Sequence, residues 1–266
     1  MNRIEDILTA CADVNLSIRK PAEEKLRMYE TQSGFSNALL VIVGNEQLET
    51  HVRLLAIICL KNVVRRQWRK RSVVQNNKQN NVDNNIITNE EKTYVKNQLF
   101  GCLSYPSKVI TVQVCAVIAL IARIDWPLGE WPDLFQKLLY FAGSGQQLIS
   151  QQQHVISNQD HNKLSNCNKA IVSLNKVLKE FLSIRVPSAK RNYENVIYEL
   201  LPVLMSDFSR NLQLLVHFIQ NTMSSSAPPA NTNDVVILLS ELSKNSLKCI
   251  YHILATEFET IVVEQQ

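Results

Sequence analysis

Apolar residues recur along this chain at spacings of three and four, the pattern of helices that bury one face. The densest run is 51–71, HVRLLAIICLKNVVRRQWRKR, where only Arg53, Lys61 and Asn62 interrupt the apolar positions between Val52 and Val64. A helix that is apolar nearly all round needs neighbours on at least two flanks. Its last turns change character, because Lys61, Arg65, Arg66, Arg69, Lys70 and Arg71 place their cations within about three turns, beside Trp68.

Taken in order, the pattern predicts a short helix through Ile4, Ile7, Leu8 and Cys11, then a second opening at Pro21, whose fixed φ suits a first helical position. A third runs from Phe35 to Val43 and stops at Gly44. The apolar inner helix follows. Helix resumes at Asn89, read as a cap, and continues to Leu103. A second strongly apolar helix spans 107–124. It stops at Asp125-Trp126-Pro127, and the next opens near Pro132 and ends near Gly143. Further helices are expected over 164–182, 189–206, 208–223 and 233–263, the last broken near Asn245. Two polar low-complexity stretches, 72–88 and 144–163, read as surface loops, because they offer too little apolar surface to offset their ordering entropy. Ala227-Pro228-Pro229 reads as a breaker.

The two apolar inner helices superimpose when Val52–Ile58 is laid over Val112–Ile118, an offset of 60 residues. Subtracting an Asn-rich insertion of roughly twenty leaves about forty, the period of a two-helix HEAT-type repeat. Each pair would then shield the next inner helix, which explains why those helices are apolar on most sides. The fold class expected is all-α, a right-handed α-solenoid of about five to six HEAT-type helix pairs, an armadillo-like superhelix. Residues 1–135 would form one stretch and 136–266 another.

Composition narrows this further. Glycine occurs 6 times in 266 residues, too few for the tight turns of a β-sandwich or barrel, and 45% apolar content supports a core. The net charge of +4 gives no global nucleic-acid signature. Cys11, Cys59, Cys102, Cys115, Cys167 and Cys249 are scattered, mostly within apolar helical runs, and form no CxxC pair, so they read as buried thiols in a reducing compartment. The apolar run Val109–Ala122 is shorter than the ~20 residues a bilayer requires. The five histidines adopt no ligand or triad spacing; Cys249 and His252 share a helix face, but two ligands do not make a zinc site. No catalytic residue, metal or cofactor is expected, and the chain does not read as an enzyme.

Several segments, in order, resemble a known family. Lys20-Pro21-Ala22-Glu23-Glu24-Lys25-Leu26, Tyr29-Glu30-Thr31-Gln32-Ser33-Gly34-Phe35, Val52-Arg53-Leu54-Leu55-Ala56, Leu60-Lys61-Asn62 and Gln67-Trp68-Arg69 look like the amino-terminal repeats of importin-β-type karyopherins, and most nearly their importin-11 branch. Ile124-Asp125-Trp126-Pro127 with Glu130-Trp131-Pro132-Asp133-Leu134 resembles that family's doubled Trp-Pro signature, with one residue more between the halves. The set spans about 17–135; beyond it only a compatible helical pattern continues.

The resemblance implies nuclear transport. Family members hold the small GTPase Ran in its GTP state on their first repeats, carry cargo protein on the concave side and touch phenylalanine-glycine nucleoporins, shuttling between nucleus and cytoplasm. Carried over by position, the Ran-facing residues are Lys61, Asn62, Arg65 and Arg66, a row that can meet an acidic GTPase surface with charge-assisted hydrogen bonds. The helix dipole alone also favours cations at this end. Trp68, Trp126, Pro127, Trp131 and Pro132 are the structural signature. Neither membrane nor nucleic acid is an expected partner under this reading. Family members are several times longer, so the chain is expected to be a fragment or a shortened relative. Two alternatives stand beside it: an RNA-binding helical solenoid that uses the arginines beside Trp68, and a HEAT scaffold with no GTPase partner.

Overall fold

The computed structural model describes residues 2–69, 87–143, 157–183, 187–224 and 232–264. Among these are α1 (Asn2–Cys11), α2 (Leu16–Tyr29), α3 (Phe35–Gly44), α4 (Thr50–Gln67), α5 (Asn89–Gly101), α6 (Lys108–Asp125), α7 (Leu134–Phe141), α8 (Asn158–Phe181), α9 (Pro187–Ser224) and α10 (Thr232–Glu264), with 3₁₀ turns at Cys102–Ser104 and Trp126–Leu128. No strand occurs among the described residues, so the fold is all-α as expected. Contacts divide the chain into two compact units, Met1–Ile124 and Asp125–Gln266.

In the first unit α1 packs on α2, α3 on α4, and α3 on α5. The helix starts follow from local chemistry. Asn15 caps α2 by accepting from the Ser17 amide at 3.0 Å. The helix therefore begins five residues before Pro21, which sits inside it rather than opening it; Pro21 is exposed, so the carbonyl it leaves without a helical donor can be met by water. Thr88, not Asn89, caps α5, its hydroxyl accepting from the Glu91 amide at 3.2 Å. Gly34 enters α3 at φ 84°, a left-handed conformation that glycine adopts without strain.

α4 is buried along Val52, Ala56, Ile57, Leu60, Val63 and Val64, while Leu55 is only half-buried. Its helical run ends at Gln67, sooner than the basic stretch does; Lys70 and Arg71 lie outside the described residues. α6 has the same length, 18 residues, and its burial repeats that of α4 at a shift of 58 rather than 60. Val52, Ala56, Ile57, Leu60, Val63 and Val64 correspond in this register to Ile110, Val114, Cys115, Ile118, Ile121 and Ala122, all buried. Trp68 then corresponds to Trp126. The offset of 60 would match buried Val52 with exposed Val112. A run that is apolar on nearly all sides carries little rotational phase, so the sequence alone admits either register; burial selects one.

The segment Lys108–Leu128 reaches a mean hydropathy of 1.9, long and apolar enough by composition to cross a membrane, contrary to the expectation that the run is too short. Its buried positions, Ile110 through Ala122, lie instead inside the protein and make it a core helix.

In the second unit α8, α9 and α10 are longer than any helix of the first, and α10 packs on both α8 and α9, while the short α7 packs on α8. Ser157 caps α8, accepting from the Asp160 amide at 3.2 Å, so residues 158–163, expected in a loop, are helical. The remainder of that loop, most of 72–88 and Ala227-Pro228-Pro229 lie outside the described residues. Two expected interruptions are absent. α9 runs unbroken from Pro187 to Ser224, with Pro202 inside it and exposed. α10 continues through Asn245, because its side chain is engaged: Asn245 Nδ2 donates to Asn168 Oδ1 at 2.9 Å, and Asn168 Nδ2 donates to Glu241 Oε2 at 3.1 Å. An asparagine satisfied across a helix interface no longer competes for its own backbone.

The cysteines are free, and five of the six are buried. Burial raises the thiol of Cys59 to about 12 and those of Cys102 and Cys167 to about 11. Such thiols carry almost no thiolate near neutral pH and behave as core side chains.

Candidate functional site

The basic row at the end of α4 rests on a scaffold of buried charges that sequence periodicity does not announce. Arg53, in the first turns of α4, is buried; its Nε donates to the Val43 carbonyl at 2.9 Å and its guanidinium lies 5.3 Å from the Tyr105 ring centroid. That arginine satisfies an end carbonyl of α3 and ties it to α4. Glu91 of α5, also buried, accepts from the Gly34 amide at 3.2 Å and the Ser36 amide at 3.0 Å. A carboxylate on the first amides of α3 is favoured by both hydrogen bonding and the helix dipole. Packing is equally close at the other end of α3, where a Cβ on Gly44 would meet the Tyr105 hydroxyl oxygen at 2.7 Å. α3, α4 and α5 are thereby cross-linked by side-chain to backbone bonds, and the exposed edge of α4 is held by a firm base.

On that edge the four residues differ. Lys61 is half-buried and its Nζ donates to Gln113 Oε1 of α6 at 2.6 Å, so the ammonium is presented along a defined line. Asn62 is half-buried beside it, and Arg65 is exposed one turn on. Arg66 is exposed too, but its Nη2 pairs with Glu30 Oε2 at 2.6 Å, and the neighbouring Gln67 amide donates to the Glu30 carbonyl at 3.3 Å. Arg66 thus joins the end of α4 to the end of α2 and has less freedom to meet a partner. Arg69 is exposed beyond it. Sequence reasoning missed Arg123: in the register of 58 it stands in α6 where Arg65 stands in α4, and it is exposed. The signal was present in the repeat, but the offset of 60 obscured it.

Trp68, expected at a partly aromatic tip, is fully buried, and Lys92 Nζ lies 5.5 Å from its ring centroid. An indole with no exposed face cannot stack on a base, which removes the aromatic half of the RNA-binding alternative. Trp126 and Trp131 are likewise packing residues. Trp126 meets Phe135 edge-on at 5.6 Å, Phe181 at 5.1 Å and Tyr193 at 6.2 Å; Trp131 is buried. Pro127 lies within the 3₁₀ turn after α6 and Pro132 just before α7. Together they turn the chain into the aromatic cluster.

Elsewhere the Cys249 thiol donates to the Ile171 carbonyl at 3.6 Å, and no group of three or more His, Cys, Asp or Glu side chains that could hold a metal occurs among the described residues.

Comparison with known proteins places this geometry. Residues 22–105 match the family model of the importin-beta N-terminal domain. Importin-11 of Homo sapiens is 34% identical over 133 residues, which is 50% of this chain and 12% of that protein. Importin beta-like protein KAP120 of Saccharomyces cerevisiae is 33% identical over 125 residues, 47% of this chain and 11% of that one. The chain therefore spans about an eighth of the length of these relatives. Among solved structures, Lph2, a bidirectional nuclear transport receptor of S. cerevisiae, aligns with a TM-score of 0.64 at 22% identity over 94% of this chain and 20% of its own. The exportin Cse1 in its cargo-free state aligns with a TM-score of 0.67 at 18% identity, over 95% of this chain and 23% of its own. Kap95p, whose binding switches the loops of RanGDP to the GTP-bound conformation, aligns with a TM-score of 0.51 at 14% identity, over 97% of this chain and 29% of its own. The fold is that of the HEAT-type helix pairs of importin and exportin solenoids.

Proposed function

We propose that this chain, similar over its first half to importin-11 and KAP120, is a nuclear transport receptor of the importin-β family, in its importin-11 branch, that binds Ran in its GTP state and serves protein import through the nuclear pore. The observation that carries this is the row of Lys61, Asn62 and Arg65 along the edge of α4, within the residues that match the family's amino-terminal domain, with Arg66 fastening its base to Glu30. An ordered cationic edge lowers the entropy lost on meeting an acidic surface and speeds encounter through charge. A structural neighbour that acts on the switch loops of Ran supports the choice of partner. Cargo protein and phenylalanine-glycine nucleoporins complete the proposed set of partners, and the molecule shuttles between nucleus and cytoplasm.

The test is capture of the 266-residue chain on immobilised Ran loaded with a non-hydrolysable GTP analogue or with GDP. Selective retention on the GTP form is expected. Equal retention on both forms, or none, would sink the Ran assignment. Because the structural neighbours include an exportin and a bidirectional receptor, direction has its own readout: an import receptor releases cargo when Ran-GTP is added, whereas an exporter takes it up.

A further inference from the structure

Each border of the cationic row is held by a neighbouring helix, and the two neighbours hold it with opposite electrostatic effect. At about 100° per residue, Lys61, Arg65, Asn62 and Arg66 follow one another in that order around an arc of about 140° on α4. Lys61 stands at the α6 border, where its Nζ donates to Gln113 Oε1 at 2.6 Å. Arg66 stands at the α2 border, where its Nη2 donates to Glu30 Oε2 at 2.6 Å. Arg65 lies between them and is exposed.

The two acceptors differ in charge. An amide oxygen takes one of the three ammonium protons of Lys61, leaves two for a partner and cancels none of the charge. A carboxylate offsets the charge of Arg66 and draws the guanidinium toward α2. The Glu30 carboxylate is not explained by its own helix, because it caps the C-terminus of α2, the negative end of the dipole, where an anion is disfavoured. Arg66 by contrast lies in the last turn of α4, where a cation is favoured without help.

The joint between the helices does not hang on this ion pair. The Gln67 amide also donates to the Glu30 backbone carbonyl at 3.3 Å, and a pair whose arginine is 54% exposed contributes little stability. What the carboxylate changes most is the field along the edge of α4. On the reading that this edge meets Ran-GTP, we propose that Gln113 and Glu30 are positioning residues of opposite sign. Gln113 presents Lys61 at full charge, whereas Glu30 withdraws Arg66 from the contact and restrains association.

Two isosteric exchanges test this in the full chain, with association and dissociation rates measured on immobilised Ran carrying a non-hydrolysable GTP analogue. Glu30→Gln keeps an acceptor for Arg66 and deletes the charge. Association should quicken about threefold at about 0.1 M salt, and the gain should vanish as the salt approaches about 0.5 M. Gln113→Glu keeps the acceptor for Lys61 and adds a charge, so association should slow about threefold with the same salt dependence. Gln113→Leu leaves the charge of Lys61 in place without its acceptor, and should instead speed dissociation about threefold. Glu49→Gln, about 24 Å from Arg65 at the other end of α4, removes the same formal charge as Glu30→Gln. It should change neither rate by more than about 1.5-fold, which separates a local effect from one of net charge. All four variants should melt within about 3 °C of the parent. A parent that fails to bind Ran-GTP sinks the reading on which this rests and takes the inference with it. A parent that binds, with Glu30→Gln neutral or slower or with Gln113→Glu neutral or faster, overturns the positioning roles alone.

Discussion

The two units of the molecule solve the problem of stacking helices in different ways. In the first, helices of 10 to 18 residues are joined by buried charges that bond to backbone: Arg53 to the end of α3, Glu91 to its start. In the second, helices of 24, 38 and 33 residues pack through aliphatic and aromatic side chains, and polar links across α8 and α10 run through neutral amides and a thiol as well as one carboxylate: Asn168 with Asn245 and Glu241, and Cys249 with the Ile171 carbonyl. Buried charge fixes one arrangement at a high cost if a partner is lost, whereas apolar faces tolerate sliding and substitution. The match to the family model, residues 22–105, lies within the first unit.

That contrast can be broken most severely in the inner helix. Ile57→Asp should cost more than about 4 kcal/mol, by placing an unpaired carboxylate at a fully buried position, and the far-ultraviolet circular dichroism melt should show loss of the first unit's structure at ambient temperature. Next comes the carboxylate anchor. Glu91→Ala should cost about 3 kcal/mol by orphaning the Gly34 and Ser36 amides, while Asn168→Ala in the second unit should cost only about 1 kcal/mol, since its bonds are part-exposed. Urea unfolding of both variants compares them directly; equal losses would dissolve the distinction between the units.

A third variant separates function from fold. Lys61→Glu/Arg65→Glu should weaken capture by Ran-GTP on the order of 100-fold while moving the melting temperature by no more than about 2 °C, because these side chains lie at the edge of α4. Arg123→Glu, one repeat on, should produce a smaller loss in the same assay. Gly44→Ala follows at about 1–2 kcal/mol, the cost of displacing the Tyr105 hydroxyl, read in the melting temperature.

The smallest effect is a pH dependence confined to the second unit. Burial, with the positive charges of Lys179 and Lys248, holds His252 below its usual 6.5. The unfolded chain therefore takes up a proton that the folded chain refuses, and stability falls as the pH drops through 6.5 and below. His252→Gln should flatten that dependence in melts recorded between about pH 7 and pH 5.

Much of the helical architecture was legible because apolar spacing records which face is covered. What escaped was of two kinds. Helix ends were misread where a capping side chain outranked a stronger-looking signal: Asn15 over Pro21, Thr88 over Asn89, Ser157 over a polar low-complexity run. Long-range polar bonds were invisible, since nothing local distinguishes Asn245, engaged with Asn168 across two helices, from an asparagine that breaks its own helix. Leu55 looked central by sequence yet is half-buried, while Ile57 and Leu60 are fully covered. Of the candidate binding row, the residue types and positions could be read directly, but not that Glu30 holds Arg66 or that Gln113 aims Lys61.

The α6 segment has a further consequence at the moment of synthesis. A ribosome releases Lys108–Leu128 as a stretch with the composition of a bilayer-crossing span, before the residues that follow it have emerged to pack against it. Until the nascent chain folds around it, that segment presents the same greasy ribbon to chaperones and to the membrane-insertion machinery. Rapid packing of the preceding helices over it shortens the time for which that apolar surface is open.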